Sequence, residues 1–356
     1  MLKKFLIFIL SAIILSGCTN FKEENTITFS SWGSVSEVEI LKKIINEYEK
    51  ENPNTKINFI HVPQNYFQKI HLLFASNTPP DVIFINNLYL PIYESQLEDL
   101  TNIVNKTEYF NQAIDCLSFN NKILAYPRDI SNQIFYVNLD KISLPPNNWT
   151  IEDLVEISKK ATSQNNFGIS YEPDIYWAKP YLAYFGEDIL STNDFSKLKG
   201  IQFYKKLKDD YKVAPRTSDV GSQTLAQMFI DNRIGLYLSG RWMYPKILEK
   251  ANFDWAIINF PIGQNPLPCD ASGWAISKNS KNKEEAIKFV KFLASPKSSK
   301  YFTSTGLIVP ARKDTAQILN NSGHNEKIFL EIIEQSKSTN ININYKRISD
   351  KINQDL

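Results

Sequence analysis

Hydrophobic positions along the chain change period several times, and each change marks a predicted element. Ile27-Thr28-Phe29-Ser30-Ser31 alternates as a strand does, after which Val38, Leu41, Ile45 and Tyr48, with Ile40 and Ile44, recur at helical spacing. Ser34 or Ser36 can cap that helix, each having a glutamate three residues on, Glu37 and Glu39. A strand over 56–62 and a helix over about 65–76 come next. The run Asp81-Val82-Ile83-Phe84-Ile85-Asn86 is apolar almost throughout, as a parallel strand buried on both faces is. Together these predict a βαβαβ unit, which places a ligand crevice at the carboxyl ends of its strands, at 32–34 and 86–89.

The alternation of elements then continues. Strands are predicted over 122–126 and 133–138, and Thr150 caps a helix running to about Ala161. A strand over 167–170 leads to an aromatic segment, Tyr176-Trp177-Ala178-Lys179-Pro180-Tyr181, set just ahead of a helix. Helices over 197–211 and 223–232, a strand over 234–238, and strands over 254–260 and 274–277 follow. Asn282, with Glu285 three residues on, is expected to cap a helix that buries Ala286, Phe289, Val290 and Leu293. The tail from Asn325 is helical by pattern. No internal repeat and no Gly/Ser-rich or Pro-rich linker interrupts this order, so two lobes are expected to be joined by short connections.

The amino terminus adds an address. Lys3 and Lys4 precede an apolar run over 5–15, too short for a comfortable membrane span, and Leu15-Ser16-Gly17-Cys18 resembles the bacterial lipobox. Residues 1–17 are therefore expected to be a lipoprotein signal peptide, Cys18 the lipidated residue, and 18–25 a tether. The chain has 356 residues with 40 Lys+Arg against 38 Asp+Glu, spread without blocks, which gives no reason to expect nucleic acid as a partner. Cys116 and Cys269 are expected to be buried thiols, although pairing in an oxidising compartment stays open, and no metal-ligand spacing or cofactor motif is present. Gly-x-Ser-x-Gly, His-Glu-x-x-His and phosphate-cradling P-loop patterns are also missing, and the three histidines, His61, His71 and His324, fall in a strand, a helix and a polar turn. An exported glycan-degrading enzyme and a lipoprotein that binds another protein through a groove are the competing classes.

The order of segments resembles the family 1 extracellular solute-binding proteins of ABC importers, the group that includes maltose-binding protein. The resemblance is carried by Ser31-Trp32-Gly33, Tyr48-Glu49-Lys50-Glu51-Asn52-Pro53, Pro80-Asp81-Val82-Ile83, Tyr126-Pro127-Arg128-Asp129 and Phe135-Tyr136-Val137-Asn138. Pro145-Pro146-Asn147-Asn148-Trp149-Thr150, Ser239-Gly240-Arg241-Trp242, Gly273-Trp274-Ala275-Ile276-Ser277 and Val309-Pro310-Ala311-Arg312 extend it. It implies an α/β, two-lobed periplasmic-binding-protein-like fold of type II, with discontinuous lobes, an interlobe ligand cleft and a hinge. The first lobe would take 26–130 and 270–310, and the second 131–269 and 311–356, with crossings near 130–133, 266–271 and 309–312. The resemblance further implies a monomeric, non-catalytic, extracytoplasmic receptor, lipid-anchored to the cell membrane, without a cofactor. It would hand a carbohydrate to ABC permease subunits served by a separate ATPase. Family members usually continue into further helices beyond the region of Tyr345-Lys346-Arg347-Ile348, so a thinner second lobe is expected.

A sugar presents C–H faces to flat aromatic rings and hydroxyls to planar polar groups. Candidate aromatics are Trp32 past the first strand, Tyr176, Trp177, Trp242, which matches the Gly-x-Trp position that stacks on sugar in the maltose-binding group, and Trp274 after Gly273. Trp149, next to a helix cap, is assigned to packing. Polar candidates, expected in turns at the cleft, are Ser34, Asn86, Asn87, Arg128, Asp129, Ser131, Glu172 and Arg241; Glu172 falls where the maltose-binding group has a hydroxyl-binding glutamate. Arg128, Arg241 and Arg312 all sit at predicted strand ends or crossings, and guanidinium forks suit phosphate or carboxylate. An anionic solute, such as a glycerol phosphate or an acidic sugar, is therefore the alternative ligand.

Overall fold

The computed structural model describes residues 25–321 and 325–356, so Cys18, the predicted signal peptide, most of the tether and His324 lie outside the described residues. The opening unit forms as its periodicity predicts. Strand β1 (Asn25–Ser31) pairs in parallel with β2 (Thr55–His61) and β3 (Val82–Asn86), and helices α1 (Val35–Glu51) and α2 (Tyr66–Ala75) make the crossovers. Ser34, rather than Ser36, caps α1: its hydroxyl accepts from the Glu37 amide at 3.3 Å while the Glu37 carboxylate accepts from the Ser34 amide at 2.9 Å. Just ahead of β3, the Asp81 carboxylate accepts from the Thr28 amide at 2.8 Å and the Thr28 hydroxyl at 2.7 Å, stitching β3 to β1.

After α3 (Asn111–Cys116) and a ribbon of β4 (Ser118–Phe119) with β5 (Lys122–Ile123), the chain enters β6 (Tyr126–Asn132). Arg128, Asp129 and Ser131, expected in a turn, lie inside this strand. The polar cluster after Pro127 is a turn signal only locally, and antiparallel pairing with β11 (Leu267–Ile276), far along the chain, overrides it. One residue later, past Gln133, β7 (Ile134–Asn138) belongs to a different sheet, in the order β10 (Trp255–Ile258), β7, β9 (Ile234–Ser239), β8 (Phe167–Ile169). The larger sheet runs β12 (Val309–Pro310), β6, β11, β3, β1, β2, and β13 (Ser336–Ser338) joins it along the first residues of β11.

Each sheet carries its own helices. Side chains of α4 (Ile151–Ala161), α5 (Ile175–Tyr184) and α6 (Lys199–Asp209) share a core with Phe135, Val137, Leu236 and Leu238 of the small sheet. Trp149 is buried in this core, edge-on to Phe135 at 5.9 Å, as its assignment to packing required. Between β8 and the end of the small sheet lie α7 (Leu225–Ile230) and α8 (Tyr244–Lys250). On the large sheet, α9 (Lys283–Leu293) buries the four predicted residues, but Asn282 does not cap it; its side-chain amide donates instead to the Thr26 carbonyl at 3.0 Å. Helix α10 (Pro296–Ser304) follows. Tyr176 and Trp177 lie in the first turn of α5 rather than ahead of it, because Asp174 caps that helix by accepting from the Tyr176 amide at 2.7 Å.

The tail is not uniformly helical. It divides into α11 (Ile328–Glu334), the strand β13 and α12 (Tyr345–Asn353). Ile328, Phe329, Ile332 and Ile333 join a core cluster that takes side chains from both sheets, whereas Tyr345 and Ile352 join the one built on α4, α5 and α6. Strand β11 likewise passes from the second of these clusters at Leu267 to the first at Trp274. Cys116 and Cys269 are buried free thiols with sulfurs 3.9 Å apart. No helix among the described residues is long and apolar enough to cross a membrane.

Candidate ligand cleft

A cavity of about 530 Å³ lies where the ends of β1, β3 and β9 meet the crossing strands β6 and β11, a volume within the ~300–1,000 Å³ range of small-ligand sites. Its floor is built by pleat and register. Side chains two apart on a strand share a face, and Asp129 and Ser131 on β6 stand opposite Ser272 and Asp270 on β11. Two Asp–Ser cross-strand pairs thus lie side by side. The Ser272 hydroxyl donates to Asp129 Oδ2 at 2.6 Å, and Ser131 Oγ donates to the Asp270 carbonyl at 3.4 Å.

Arg128 lines the same floor although it neighbours Asp129. The register explains this: Ser272 faces Asp129 but Gly273 faces Pro127, which leaves Arg128 as an extra residue on β6. Such a bulge re-aims a side chain that strict alternation would turn away. The guanidinium pairs with Glu37 Oε1 at 2.7 Å, lies 3.4 Å from Asp129 Oδ2, and rests over the Phe302 ring at 4.5 Å. Burial pushes the Asp129 carboxyl up, and the Arg128 charge and the Ser272 hydroxyl only partly oppose it. Burial pushes Glu37 up as well, but there Arg128 and the Ser34 amide outweigh it and the carboxyl is held below its usual range.

The walls are aromatic. Trp32 is 47% exposed, leaning on Phe84 at 5.8 Å, and comes from the end of β1. Trp242 comes from the end of β9 in the other sheet, where a Cβ on Gly240 would meet its ring at 2.0 Å, so the indole lies across a residue with no side chain. Tyr176 completes the lining from α5. Asn86 and Ser34 reach the cleft while capping helices, and Asn87 is buried with its amide donating to Asp270 Oδ1 at 2.9 Å and its carbonyl oxygen accepting from the Ala271 amide at 3.2 Å.

Of the candidates from sequence, the cleft brings together Trp32, Ser34, Asn86, Asn87, Arg128, Asp129, Ser131, Tyr176, Arg241 and Trp242. The others are placed elsewhere. Trp274 is fully buried among Phe29 at 5.4 Å and Phe84 at 5.9 Å, one pleat repeat below Ser272 on β11, where the strand has already run under the cleft floor. Gly273 serves that packing, since a Cβ there would come 2.3 Å from the Tyr126 carbonyl oxygen. Arg312 points away, paired with Glu108 at 2.7 Å and Asp314 at 3.0 Å. Trp177 lies behind Trp242 at 6.3 Å, and Glu172 bonds to Trp177; burial raises the Glu172 carboxyl and the Trp177 bond opposes the rise. Arg241 reaches the cleft edge, but its fork is held by the buried Glu326, with Nε 3.1 Å from Oε2, and by the Ile308 carbonyl at 2.6 Å.

Glu37, Asp270 and Ser272 were missed by sequence reasoning. The one available signal was the pair of polar positions two apart, Asp270 and Ser272, in a strand that is otherwise nearly all apolar. Two other cavities, of about 590 and 620 Å³, differ in kind: one is lined by Leu248, Ile318 and Pro245, and the other opens behind the crossing strands around Lys337 and Asn340. Neither is lined by a tryptophan.

Comparison with known proteins bears on the family and the fold. The model of the family described as bacterial extracellular solute-binding protein matches residues 32–300. The multiple sugar-binding protein of Streptococcus mutans is 23% identical over 336 residues, which cover 83% of this chain and 79% of that protein. Among solved structures, an ABC substrate-binding protein from Listeria monocytogenes in complex with cycloalternan superposes with a TM-score of 0.83 at 23% identity, covering 93% of this chain and 92% of the other. A Mycobacterium tuberculosis protein in complex with glycerophosphocholine superposes with a TM-score of 0.77 at 18% identity, covering 93% and 92%. At these identities the structural likeness establishes the two-lobed α/β fold.

Proposed function

The chain belongs to the bacterial extracellular solute-binding protein family, and we propose that it is a receptor for a neutral carbohydrate, held between Trp32 and Trp242 over the Asp129–Ser272 and Ser131–Asp270 pairs. The observation that carries this reading is the floor itself. Carboxylates and hydroxyls in a fixed grid match the hydroxyls of a sugar, and the indoles supply flat surfaces for its C–H faces. The sugar complex of the Listeria protein and the name of the Streptococcus relative support the same ligand class.

The anionic alternative draws less support. All three arginines that suggested it are already matched by carboxylates: Arg128 by Glu37 and Asp129, Arg241 by Glu326, and Arg312 by Glu108 and Asp314. At Arg241 an incoming phosphate would have to displace the buried Glu326 and leave it without a counter-charge, and at Arg128 it would compete with two carboxylates already in place. In the full proposal Cys18 carries the lipid anchor. The protein works as a monomer, closes about the crossings at β6–β7 and β11, and delivers its cargo to ABC permease subunits with a separate ATPase.

A thermal-shift panel tests this reading. Cycloalternan, maltotriose, glucuronate, glycerol 3-phosphate and glycerophosphocholine are compared, because a ligand that binds only the folded state raises its melting temperature. A rise with a neutral sugar and none with the anions is expected. A rise confined to the glycerol phosphates or the sugar acid would overturn it, as would breakdown of any sugar by the purified protein.

A further inference from the structure

Behind the cleft, on α5, the Lys179 side chain is only 6% exposed, and its ammonium group has three partners. It pairs with Asp270 Oδ2, donates to Thr339 Oγ1 at 3.3 Å, and lies 4.5 Å from the centre of the Tyr176 ring. Asp270 and Tyr176 line the cleft, whereas Lys179 does not; it lines the separate cavity to the rear. We infer that Lys179 is a positioning residue, which sets from behind the orientation of two cleft-lining groups, Asp270 and Tyr176.

The geometry leaves Asp270 little freedom. Oδ1 accepts from Asn87, which follows β3 in the large-sheet half of the molecule, and Oδ2 accepts from Lys179, on a helix packed with the small sheet. One carboxylate on the crossing strand is therefore held by both halves at once. A carboxylate has about four lone-pair positions, so each oxygen keeps an acceptor site after these bonds. The ionisable groups that feel Asp270 are Tyr176 and Tyr345, both driven upward first by burial, and Cys269, driven upward first by its bond with the Cys116 thiol and then by burial; the Asp129 charge also acts on Tyr176. Lys179 is the ion-pair partner of Asp270 among the described residues. Without it a buried carboxylate would lack a counter-charge, and the Tyr176 ring would lose the cation on its rear face.

The inference rests on the cleft being the ligand site, and its test separates the two. Crystal structures of wild type, Lys179→Met and Lys179→Met/Asp270→Asn are compared, with melting temperatures and cycloalternan titrations. Methionine keeps the apolar stem and removes the charge. The single variant should melt lower and show Asp270 turned off Asn87 and the Tyr176 ring displaced by more than about 0.5 Å, the tolerance of a functional constellation. The double variant, relieved of the unpaired charge, should regain the melting temperature yet keep the ring displaced and bind cycloalternan about tenfold weaker or worse. Should the single variant not fold, the double variant decides through the same ring position. Asp270 and Tyr176 unmoved in every variant that folds would overturn the positioning role. Wild type that ignores cycloalternan while the ring still moves would count against the proposed ligand and leave the positioning role standing.

Discussion

Gly240 and Trp242 are locked together: a methyl group at Gly240 would sit 2.0 Å from Cζ3 of the Trp242 ring. The Gly240 backbone, at φ −121°, is one that alanine adopts freely, so the nearest obstacle to a side chain there is the indole. Gly240→Ala should therefore leave the fold intact and push Trp242 out of its cleft position. The expected result is weaker sugar binding with a changed tryptophan emission spectrum, and no additional loss when Trp242→Ala is combined with it. Unchanged affinity in Gly240→Ala would show that the indole's present position is not the one that binds.

Trp242→Ala itself removes a large, partly exposed aromatic wall from the cleft. It should weaken sugar binding by about 2 kcal/mol or more, roughly thirtyfold, with urea-unfolding midpoints close to wild type. A loss of stability that matches the loss of affinity would assign the residue to packing instead.

Glu37 and Asp129 share Arg128 and respond to pH in opposite senses. The lowered Glu37 carboxyl contributes stability that is present above the usual glutamate range and lost as pH falls through its own value. The raised Asp129 carboxyl contributes stability present below the usual aspartate range and lost as pH rises through its folded value. Melting curves from pH 3 to 8 should show Glu37→Gln destabilising and Asp129→Asn stabilising at neutral pH, with both differences shrinking at the acid end. Changes of the same sign at neutral pH would contradict the assignment of Arg128 mainly to Glu37.

Much of the fold was legible because its signals are local. The βαβαβ unit follows from periodicity, the cap at Ser34 from its three-residue spacing to Glu37, and the cap at Thr150 from its residue type ahead of an apolar stripe. The cleft floor was legible only in half. Arg128, Asp129 and Ser131 were found, but as turn residues, because nothing near Pro127 reveals that a strand from residues 267–276 will pair there. Trp274 was misplaced for a related reason: it shares a strand face with Ser272, and only the tertiary structure shows that the cleft ends between them. Lys179, in an aromatic helical segment, gave no sign of a buried charge whose partner lies on β11.

Breaking the buried pair of Arg241 and Glu326 should be expensive. Glu326→Ala leaves a guanidinium almost without exposure and without its carboxylate, a change that typically costs about 3–5 kcal/mol. Chemical unfolding should show it. A variant of near wild-type stability that gained affinity for glycerol 3-phosphate would revive the anionic reading, because Arg241 would then be free to bind it.

The proposed anchor is tested apart from the fold. Cys18→Ala should move the protein from the membrane fraction of cells to the soluble extracytoplasmic fraction, with cleft binding unaffected. Continued membrane association would reject lipidation at Cys18.

The account depends most on where a ligand sits. The most direct measurement is a crystal structure of the protein with the panel compound that gives the largest thermal shift. The account predicts a neutral sugar with one face on Trp242 and hydroxyls within hydrogen-bonding distance of Asp129 and Asp270. A ligand seated in the cavity beside Leu248 and Ile318, or an anion bridging Arg128 and Arg241 with Glu37 and Glu326 displaced, would contradict it.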